Sequence, residues 1–138
     1  MKKPLIGLIA LTVSGMVPAA DIPRSPAPAG AQVYIISPQD GDTVQSPVTV
    51  RFGLKGMGVA PAGTVRENTG HHHLLINRDA PAMGMPMGKD VKHFGGGQTE
   101  AVVELAPGVH TLQLLLGDHA HVPHDPPVLS EKIAITVR

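Results

Sequence analysis

The amino-acid sequence predicts an all-β protein, more specifically an immunoglobulin-like antiparallel β-sandwich. From Val33 onward, short runs of alternating apolar and polar residues recur, which is typical of strands with one buried face. Clusters of Pro, Gly and Asp separate these runs, and no stretch has the period of an amphipathic helix. The number and order of the runs favour the immunoglobulin-like arrangement. Only the architecture is predicted, because the Cys and Trp residues typical of true immunoglobulin domains are missing.

Three strands are predicted in the first half of the domain. VYIIS begins at Val33 and ends at the turn cluster PQDGDT. VTVRFGL directs four apolar side chains to one face: Val48, Val50, Phe52 and Leu54. The third strand is HHHLLIN, which begins at His71. The following region, residues 78–98, is rich in Gly, Pro and Met and is predicted to be a loop with at most a short edge strand.

Three further strands complete the predicted domain. TEAVVEL is followed by APG, in which Pro107 has a fixed φ and Gly108 is free to adopt a positive φ. This tight turn predicts that TEAVVEL and the next strand, VHTLQLLLG, are antiparallel neighbours. EKIAITV is the last strand. The inward-facing residues of these strands are predicted to be Ala101, Val103, Leu105, Leu112, Leu114, Leu116, Ile133, Ile135 and Val137.

The first residues have the pattern of a signal peptide. Lys2 and Lys3 precede an apolar stretch, Leu5 to Val17, that is too short to span a bilayer, and small residues follow it. The sequence therefore predicts a signal peptide over residues 1–19, cleaved after Ala19, and a periplasmic or secreted protein. Residues 20–31 are rich in Pro and Ala and are predicted to be a mobile linker. Residues 32–138 remain as the β-sandwich domain.

The composition excludes several classes of protein. The chain has no Cys, which rules out a disulfide scaffold, a lipoprotein anchor, a thiol nucleophile and a blue-copper centre. Of 11 basic and 11 acidic residues, removal of Lys2 and Lys3 leaves 9 basic against 11, so no nucleic-acid-binding surface is predicted. No later apolar run is long enough for a membrane span. We expect a monomer whose partner is a metal ion or an envelope protein.

The histidines form two groups, TGHHHLLIN and GDHAHVPHDPP. The predicted tight turn places HFGGGQ, residues 93–98, at the same end of the domain as residues 117–124. An immunoglobulin-like topology brings the start of the third strand to that end too. Seven histidines are therefore predicted at one rim: His71, His72, His73, His93, His119, His121 and His124. His110 follows the Pro–Gly turn and is predicted at the opposite end.

This arrangement of histidines predicts a metal site for copper or zinc. Residues two apart in a strand face the same way, roughly 6.6 Å apart, so His71 and His73 can bind one ion together. His72 shares its face with the core and is predicted to be structural. Imidazole is a ligand for zinc, copper and nickel. The predicted ligands are His71, His73, His121 and His124, with His93 and His119 as further candidates.

A second group of ligand atoms is found in PAMGMPMGKD, where Met83, Met85 and Met87 alternate with Gly and Pro. Thioether sulfur is a soft ligand that selects Cu(I). In the alternative interpretation, these methionines fill gaps at the edge of the sandwich. The flanking Gly and Pro residues favour exposure, and therefore contact with copper or a sticky surface.

No catalytic motif accompanies the histidines. The acidic residues lie in no specific motif, and HFGGGQ precedes a strand rather than a helix, which excludes a dinucleotide-binding loop. We therefore expect that the protein is not an enzyme. The alternative to metal binding is a metal-free envelope module whose rim histidines brace loops by bonding backbone carbonyls. The positions of the nitrogens distinguish the two, because ligating nitrogens must converge within about 4 Å of one point.

Several motifs occur in order along the chain: ISPQDGDTVQSPVTVRFGLKGMGVAPAG, NTGHHHLLIN, HFGGGQTE, PGVHTLQLLLGD and HVPHDPPVLSEKI. Together they resemble the bacterial domain-of-unknown-function family 4399, from Val33 to Val137. The resemblance implies a small exported domain without an assigned activity. The histidines that match the family's motifs are His71, His72, His73, His93, His110, His121 and His124, whereas His119 and the three methionines depart from them. In fold and ligand type alone, the chain also resembles periplasmic copper carriers.

Overall fold

A computed structural model describes residues 22–138, and the predicted signal peptide lies outside this range. In the described range the chain forms β-strands and no helix, so an all-β protein is confirmed. No helix there is long and apolar enough to cross a membrane. The strands are β1 (Gln32–Ser37), β2 (Thr43–Val44), β3 (Val48–Lys55), β4 (Gly58–Val59), β5 (Thr69–Ile76), β6 (Lys92–His93), β7 (Glu100–Val103), β8 (Gly108–Gly117) and β9 (Ile133–Val137).

The strands are arranged in two sheets. The smaller sheet has the order β1-β3-β7, and both of its pairs are antiparallel. The larger sheet has the order β2-β9-β8-β5-β4, and β6 also pairs with β5. In this sheet β2–β9 and β4–β5 are parallel pairs, whereas the others are antiparallel. The larger sheet is therefore mixed, with β5 and β8 near its centre.

The main hydrophobic core contains residues from both sheets. In β3 the predicted alternation is observed, since Val48, Val50 and Phe52 are buried while Thr49 and Arg51 are exposed. These side chains pack with apolar residues of the larger sheet: Leu74, Leu112, Leu114, Leu116, Ile135 and Val137. The alternation of strand residues therefore supplies the core, as the sequence predicted.

A second, smaller apolar cluster lies on the other face of β5 and β8. Leu75 and Leu115 point away from the main core, because neighbouring strand residues point to opposite faces. The loop after β5 covers them with Met87 and Val91, both buried. Both faces of β5 are thus buried, and its pattern includes six consecutive buried residues from Gly70 to Leu75.

The predicted antiparallel pairing of TEAVVEL with VHTLQLLLG is wrong. β7 pairs with β3 in the smaller sheet, whereas β8 pairs with β5 and β9 in the larger one. The turn at Pro107–Gly108 connects two layers of the protein, and Gly108 has φ 136°. The start of β7 and the end of β8 nevertheless lie near the same end of the domain, because the chain reverses direction as it changes sheets.

The segment before β1 contacts the domain. The sequence predicted a mobile linker for residues 20–31, but Arg24 Nε donates to the carbonyl of Pro123 at 3.0 Å. The Ala27 amide donates to the Asp125 carbonyl, and the Asp125 amide donates to the Ser25 carbonyl, both at 2.9 Å. Residues 24–27 therefore hold the loop that follows β8. Pattern and composition missed this because the contacts use backbone groups and two polar side chains, Arg24 and Ser25, whose partners lie about a hundred positions away.

Candidate metal centre

The three histidines of β5 divide between the two faces of the sheet. His72 points into the core, where its ring lies 5.0 Å from the Phe52 ring between centroids. His71 and His73 point to the other face, and their ring centroids are 4.6 Å apart. All three side chains are fully buried. The predicted separation of His72 from His71 and His73 is therefore observed.

Four imidazoles meet on the face that carries His71 and His73. The other two members are His93 and His121, whose ring centroids are 4.5 Å apart. One candidate ligand atom from each residue lies within 4.8 Å of those from the other three. We call His71, His73, His93 and His121 the four-histidine cluster. It is the one such group of metal-ligating side chains in residues 22–138.

The short strand β6 positions His93. In the antiparallel pair of β5 and β6, His93 lies directly opposite His73, so the two side chains point to the same face. Their ring centroids are 5.2 Å apart. Gly95 leaves room for the His93 ring, because a Cβ at position 95 would overlap it. His93 itself is exposed, so this side of the cluster is open to solvent.

A tight turn after β8 positions His121. Its backbone has φ 65°, in the left-handed region that non-glycine residues rarely adopt. The carboxylate of Asp118 holds the turn, since Oδ1 accepts from the amides of Ala120 at 2.9 Å and Val122 at 3.0 Å. The turn places His121 Nδ1 3.0 Å from His71 Nε2. Strained backbone of this kind costs about 1–3 kcal/mol and is concentrated at functional sites.

The N-terminal segment supports the same turn from outside. Ser25 Oγ donates to the second carboxylate oxygen of Asp118 at 2.8 Å. Arg24 also hydrogen bonds the carbonyl of His124 and forms an ion pair with Asp125. The turn that carries His121 is therefore fixed by Asp118 on the inside and by Arg24 and Ser25 on the outside.

Gly117 lets two side chains approach each other beside the cluster. A Cβ at this position would stand 2.6 Å from His73 Cε1 and 2.9 Å from Met87 Cε. Both distances are shorter than real Cβ contacts, so the site requires the absence of a side chain here. Met87 is also joined to the cluster through the backbone, because its amide donates to the His121 carbonyl at 2.9 Å.

The two buried histidines of the cluster, His71 and His73, are neutral near pH 7. Burial, followed by the neighbouring His121 and His93, lowers the pKa of His71 to about 4. Burial, followed by His71, His93 and His121, lowers the pKa of His73 to about 3. Burial and then His121 lower the pKa of His93. A neutral imidazole has a free lone pair on one ring nitrogen, and this neutral form is the one that binds a metal.

Several buried nitrogens of the cluster have no protein partner. His73 Nδ1, His73 Nε2 and His71 Nδ1 are buried and make no hydrogen bond within the described residues. A buried polar atom without a partner costs about 1–3 kcal/mol, so such atoms call for an explanation. A metal bound by imidazoles at about 2.0 Å in tetrahedral geometry has ligand nitrogens about 3.3 Å apart. The 3.0 Å between His71 Nε2 and His121 Nδ1 is close to that separation.

One comparison with known proteins gives a match. The family described as "Domain of unknown function (DUF4399)" matches residues 50–138, more than half of the chain. The chain belongs to this family. The resemblance predicted from the sequence motifs is thereby confirmed. No curated protein and no solved structure matches the chain.

All four histidines of the cluster lie within the part of the chain matched by DUF4399. Arg24 and Ser25 precede it. The matched region begins within β3, so it also contains Asp118 and Gly117. The cluster and the turn that carries His121 are therefore built from the DUF4399 region, with contacts from two residues of the N-terminal segment, Arg24 and Ser25, added.

The structure does not bring His119 or His124 into the cluster. His119 is exposed, although it neighbours His121 in the chain. His124 is buried beside Gly70, and His124 Nε2 lies 3.1 Å from the carbonyl of Thr69. A Cβ at Gly70 would point to the face of His72, so His124 lies on the side away from His71 and His73. His124 therefore has the geometry of a brace.

The three predicted methionine ligands are also separated by the structure. Met85 is 54% exposed, and Met83 is half-buried against the smaller apolar cluster. Met87 alone lies beside the histidines, where it borders an open pocket together with His93 and His121. The alternation of Met with Gly and Pro therefore does not place three sulfur atoms at one site.

His110 lies at the opposite end of β8, as predicted. The register pairs His110 with Ile135 of β9, whereas Gly117 at the other end of β8 pairs with His71. His110 Nε2 bonds the carbonyl of Ala106 at 2.7 Å, and Nδ1 lies 2.9 Å from the side-chain amide of Asn77. Its nitrogens are thus engaged in fixing the turn between β7 and β8.

Sequence reasoning missed the residues that hold the ligands in place. Asp118 counted only among the acidic residues that lie in no specific motif, and nothing in the pattern singled out Gly117 or Ser25. The side chain of an Asp in a loop often accepts hydrogen bonds from the backbone amides that follow it, so Asp118 is itself a recognisable turn signal. No sequence signal connects Ser25 with Asp118, because the contact spans 93 positions.

Proposed function

We propose that this DUF4399 domain binds one transition-metal ion, copper or zinc, at the four-histidine cluster. The observation that carries the proposal is the convergence of four ligand atoms within 4.8 Å of one another. Imidazole nitrogens from a strand, an edge strand and a turn meet there without a carboxylate or a thiolate among them. An all-imidazole set suits zinc and copper and disfavours calcium and magnesium, which prefer oxygen ligands.

The unpartnered nitrogens support the same proposal. In the described residues, the buried nitrogens of His73 and Nδ1 of His71 have no hydrogen-bond partner. Such atoms raise the free energy of the folded state unless another group satisfies them, although His72, outside the cluster, also carries two of them. A metal ion satisfies one nitrogen of each ring, and the open side at His93 gives it a route of entry.

The environment of the cluster favours holding a metal over using it in catalysis. A catalytic zinc site needs a poised general base beside an open metal position. In the described part of the chain, the buried carboxylate near the cluster is that of Asp118, and it accepts hydrogen bonds from Ser25, Ala120 and Val122. It is committed to the turn, so we infer a non-enzymatic role in storage, buffering or delivery of the metal.

The alternative of a loop-bracing module is supported for two other histidines. His110 and His124 bond the backbone carbonyls of Ala106 and Thr69. The cluster histidines differ from them, because none of the four has a hydrogen bond to a backbone carbonyl among the side-chain bonds of the described residues. We infer that bracing and ligand histidines coexist in this protein.

We also infer an immunoglobulin-like arrangement of the sheets and export of the protein. The strands β1, β3 and β7 correspond in order to strands A, B and E of that fold, and β5, β8 and β9 to C, F and G. The main core between the two sheets supports this assignment. Export is supported by the signal-peptide pattern of residues 1–19, and the mature protein is proposed to act in the periplasm or outside the cell.

Calorimetric titration of the purified mature protein with Zn(II), Cu(II) and Cu(I) tests this function. We expect one ion per chain for the wild-type protein. The double variant His71→Ala/His121→Ala is expected to lose the site, whereas His119→Ala, which changes an exposed neighbour of His121, is expected to keep it. Wild-type protein that binds none of the three ions would refute the proposal.

A further inference from the structure

The four-histidine cluster has a sulfur-bearing neighbour and an unusual charge environment, and together these features bear on which metal it holds. We propose that the site is built for monovalent copper, with Met87 supplying a thioether ligand beside the imidazoles. This inference rests on the proposed metal-binding function and specifies the ion. Met83 and Met85 take no part in it.

The position of Met87 is the first observation. Its terminal methyl group and His73 Cε1 both lie within 2.9 Å of the point where a Cβ of residue 117 would stand. The methyl group and the ring are therefore neighbours across Gly117, and the sulfur is bonded directly to that methyl group. The backbone of Met87 is fixed by its bond to the His121 carbonyl, at 2.9 Å. The Met87 side chain is therefore held beside both His73 and His121.

The charge of the site is the second, independent observation. Imidazole is a neutral donor when it binds a metal, so the four ligands add no negative charge, and His71 and His73 are fully buried. Among residues 22–138, the anionic side chain that acts on His71 is Asp118, which is itself buried. A monovalent ion together with Asp118 gives a neutral site, whereas a divalent ion leaves a net positive charge beside the buried rings of His71 and His73. The cost of burying a charge rises steeply with its size, so this environment disfavours the divalent ion.

The charged residues at the open side of the site also favour a monovalent ion. Lys89 and Lys92 border the open pocket next to His93 and Met87, and both are exposed. Their positive charges repel a divalent cation more strongly than a monovalent one, although solvent and salt screen them. Soft thioether ligands select Cu(I) over zinc, and neutral nitrogen ligands bind both. Position, charge and ligand chemistry therefore point to the same ion.

The substitution Met87→Leu tests the inference, because Leu keeps the apolar contacts with Leu75 and Leu115 but removes the sulfur. Competition with a chromophoric Cu(I) chelator is expected to show Cu(I) affinity lowered by about tenfold or more. The Zn(II) affinity is expected to stay the same. Met85→Leu, which changes the exposed methionine, is the matched control and is expected to alter neither. X-ray absorption of the Cu(I) protein is expected to show one sulfur neighbour, absent in Met87→Leu.

The outcomes separate this inference from the function on which it rests. Equal Cu(I) affinity in wild-type and Met87→Leu protein, with no sulfur neighbour in either, would overturn the role of Met87 while leaving a histidine site. A wild-type protein that binds no metal would refute the proposed function itself. If Met87→Leu unfolds, the wild-type absorption spectrum still decides whether a sulfur atom is bound.

Discussion

His71 and His121 are fifty positions apart in the chain, and Nε2 of the first lies 3.0 Å from Nδ1 of the second. One belongs to the buried strand β5 and the other to a turn with a left-handed backbone. A hydrogen bond joins the two rings in the metal-free protein. A metal ion that takes both nitrogens replaces this bond, so the pair is already close to the geometry required for binding.

The contacts of the N-terminal segment predict that it stabilises the domain. Deletion of residues 22–27 removes the bonds of Arg24 to Pro123 and His124 and the bond of Ser25 to Asp118. We expect the thermal midpoint to fall by several degrees, as about 1–2 kcal/mol of lost stability would produce in a domain of this size. The measurement is thermal unfolding followed by circular dichroism.

A single substitution provides the control for that deletion. Arg24→Ala removes the same carbonyl contacts and is expected to lower the midpoint, whereas Arg66→Ala changes another exposed part of the surface and is expected to have no effect. An unchanged midpoint after the deletion would show that the segment is dispensable, as its composition alone suggests.

Gly117 is predicted to be essential for the arrangement of the cluster. Gly117→Ala places a methyl group 2.6 Å from His73 Cε1, so the His73 ring must move away from its position. We expect metal affinity to fall by about tenfold or more, measured by titration. Gly58→Ala is the matched control, since a Cβ there meets only Thr69 Cγ2 at 3.6 Å. Wild-type affinity in Gly117→Ala would mean that His73 does not bind the metal from this position.

The bracing histidines are predicted to affect stability and not metal binding. His124→Ala removes a buried ring that bonds the Thr69 carbonyl, and His110→Ala removes the bonds to Ala106 and Asn77. The free energy of unfolding is expected to fall by about 1–3 kcal/mol for His124→Ala and by about 0.5–1.5 kcal/mol for His110→Ala, whose bonds are exposed. Urea denaturation measures this effect, and titration checks that one ion still binds. Loss of the ion in His110→Ala would contradict the assignment of the two ends of the domain.

The metal-free protein is predicted to lose stability in mild acid. Burial holds the pKa of His71 and of His72 at about 4 in the folded state, below the ordinary histidine value of 6.5. Between these values the unfolded chain binds more protons than the folded one, so stability falls as the pH drops from about 6.5 towards 4. Each buried histidine contributes at most about 1.4 kcal/mol per pH unit.

Urea denaturation at pH 7 and pH 5 without metal measures this loss. The variant His73→Leu is expected to show a smaller difference between the two pH values, because one of the buried titrating groups is removed. The same free energy of unfolding at both pH values in wild-type protein would mean that these histidines are already charged or solvated when folded.

The sequence predicted the parts of this site that follow from strand periodicity. His71 and His73 share a face and His72 takes the other, because side chains alternate along β5. The meeting of His93 with His121 was also predicted, although the strand pairing used to argue it is not formed. The chain reverses direction between β7 and β8 although the two strands join different sheets. The start of β7 and the end of β8 therefore lie at the same end of the domain, as predicted.

The sequence did not show which of the loop histidines and methionines reach the cluster and which only lie nearby in the chain. His119, His121 and His124 occur in one short loop, and only His121 reaches the cluster. Its direction is set by a left-handed φ and by the contacts of Asp118, which arise from tertiary structure. Met87 differs from Met83 and Met85 for the same reason, since its neighbour Gly117 lies in a strand thirty positions further on. Periodicity carries no information about such contacts.

The location of the bound metal tests the central claim most directly. Anomalous diffraction from crystals of the metal-loaded protein, recorded at the absorption edge of the added copper or zinc, locates the ion without assumptions about its ligands. We predict one peak about 2 Å from a nitrogen of His71, His73 and His121, with His93 closing the site. A peak at the exposed His119, or crystals soaked in metal that show no peak at the cluster, would contradict the account.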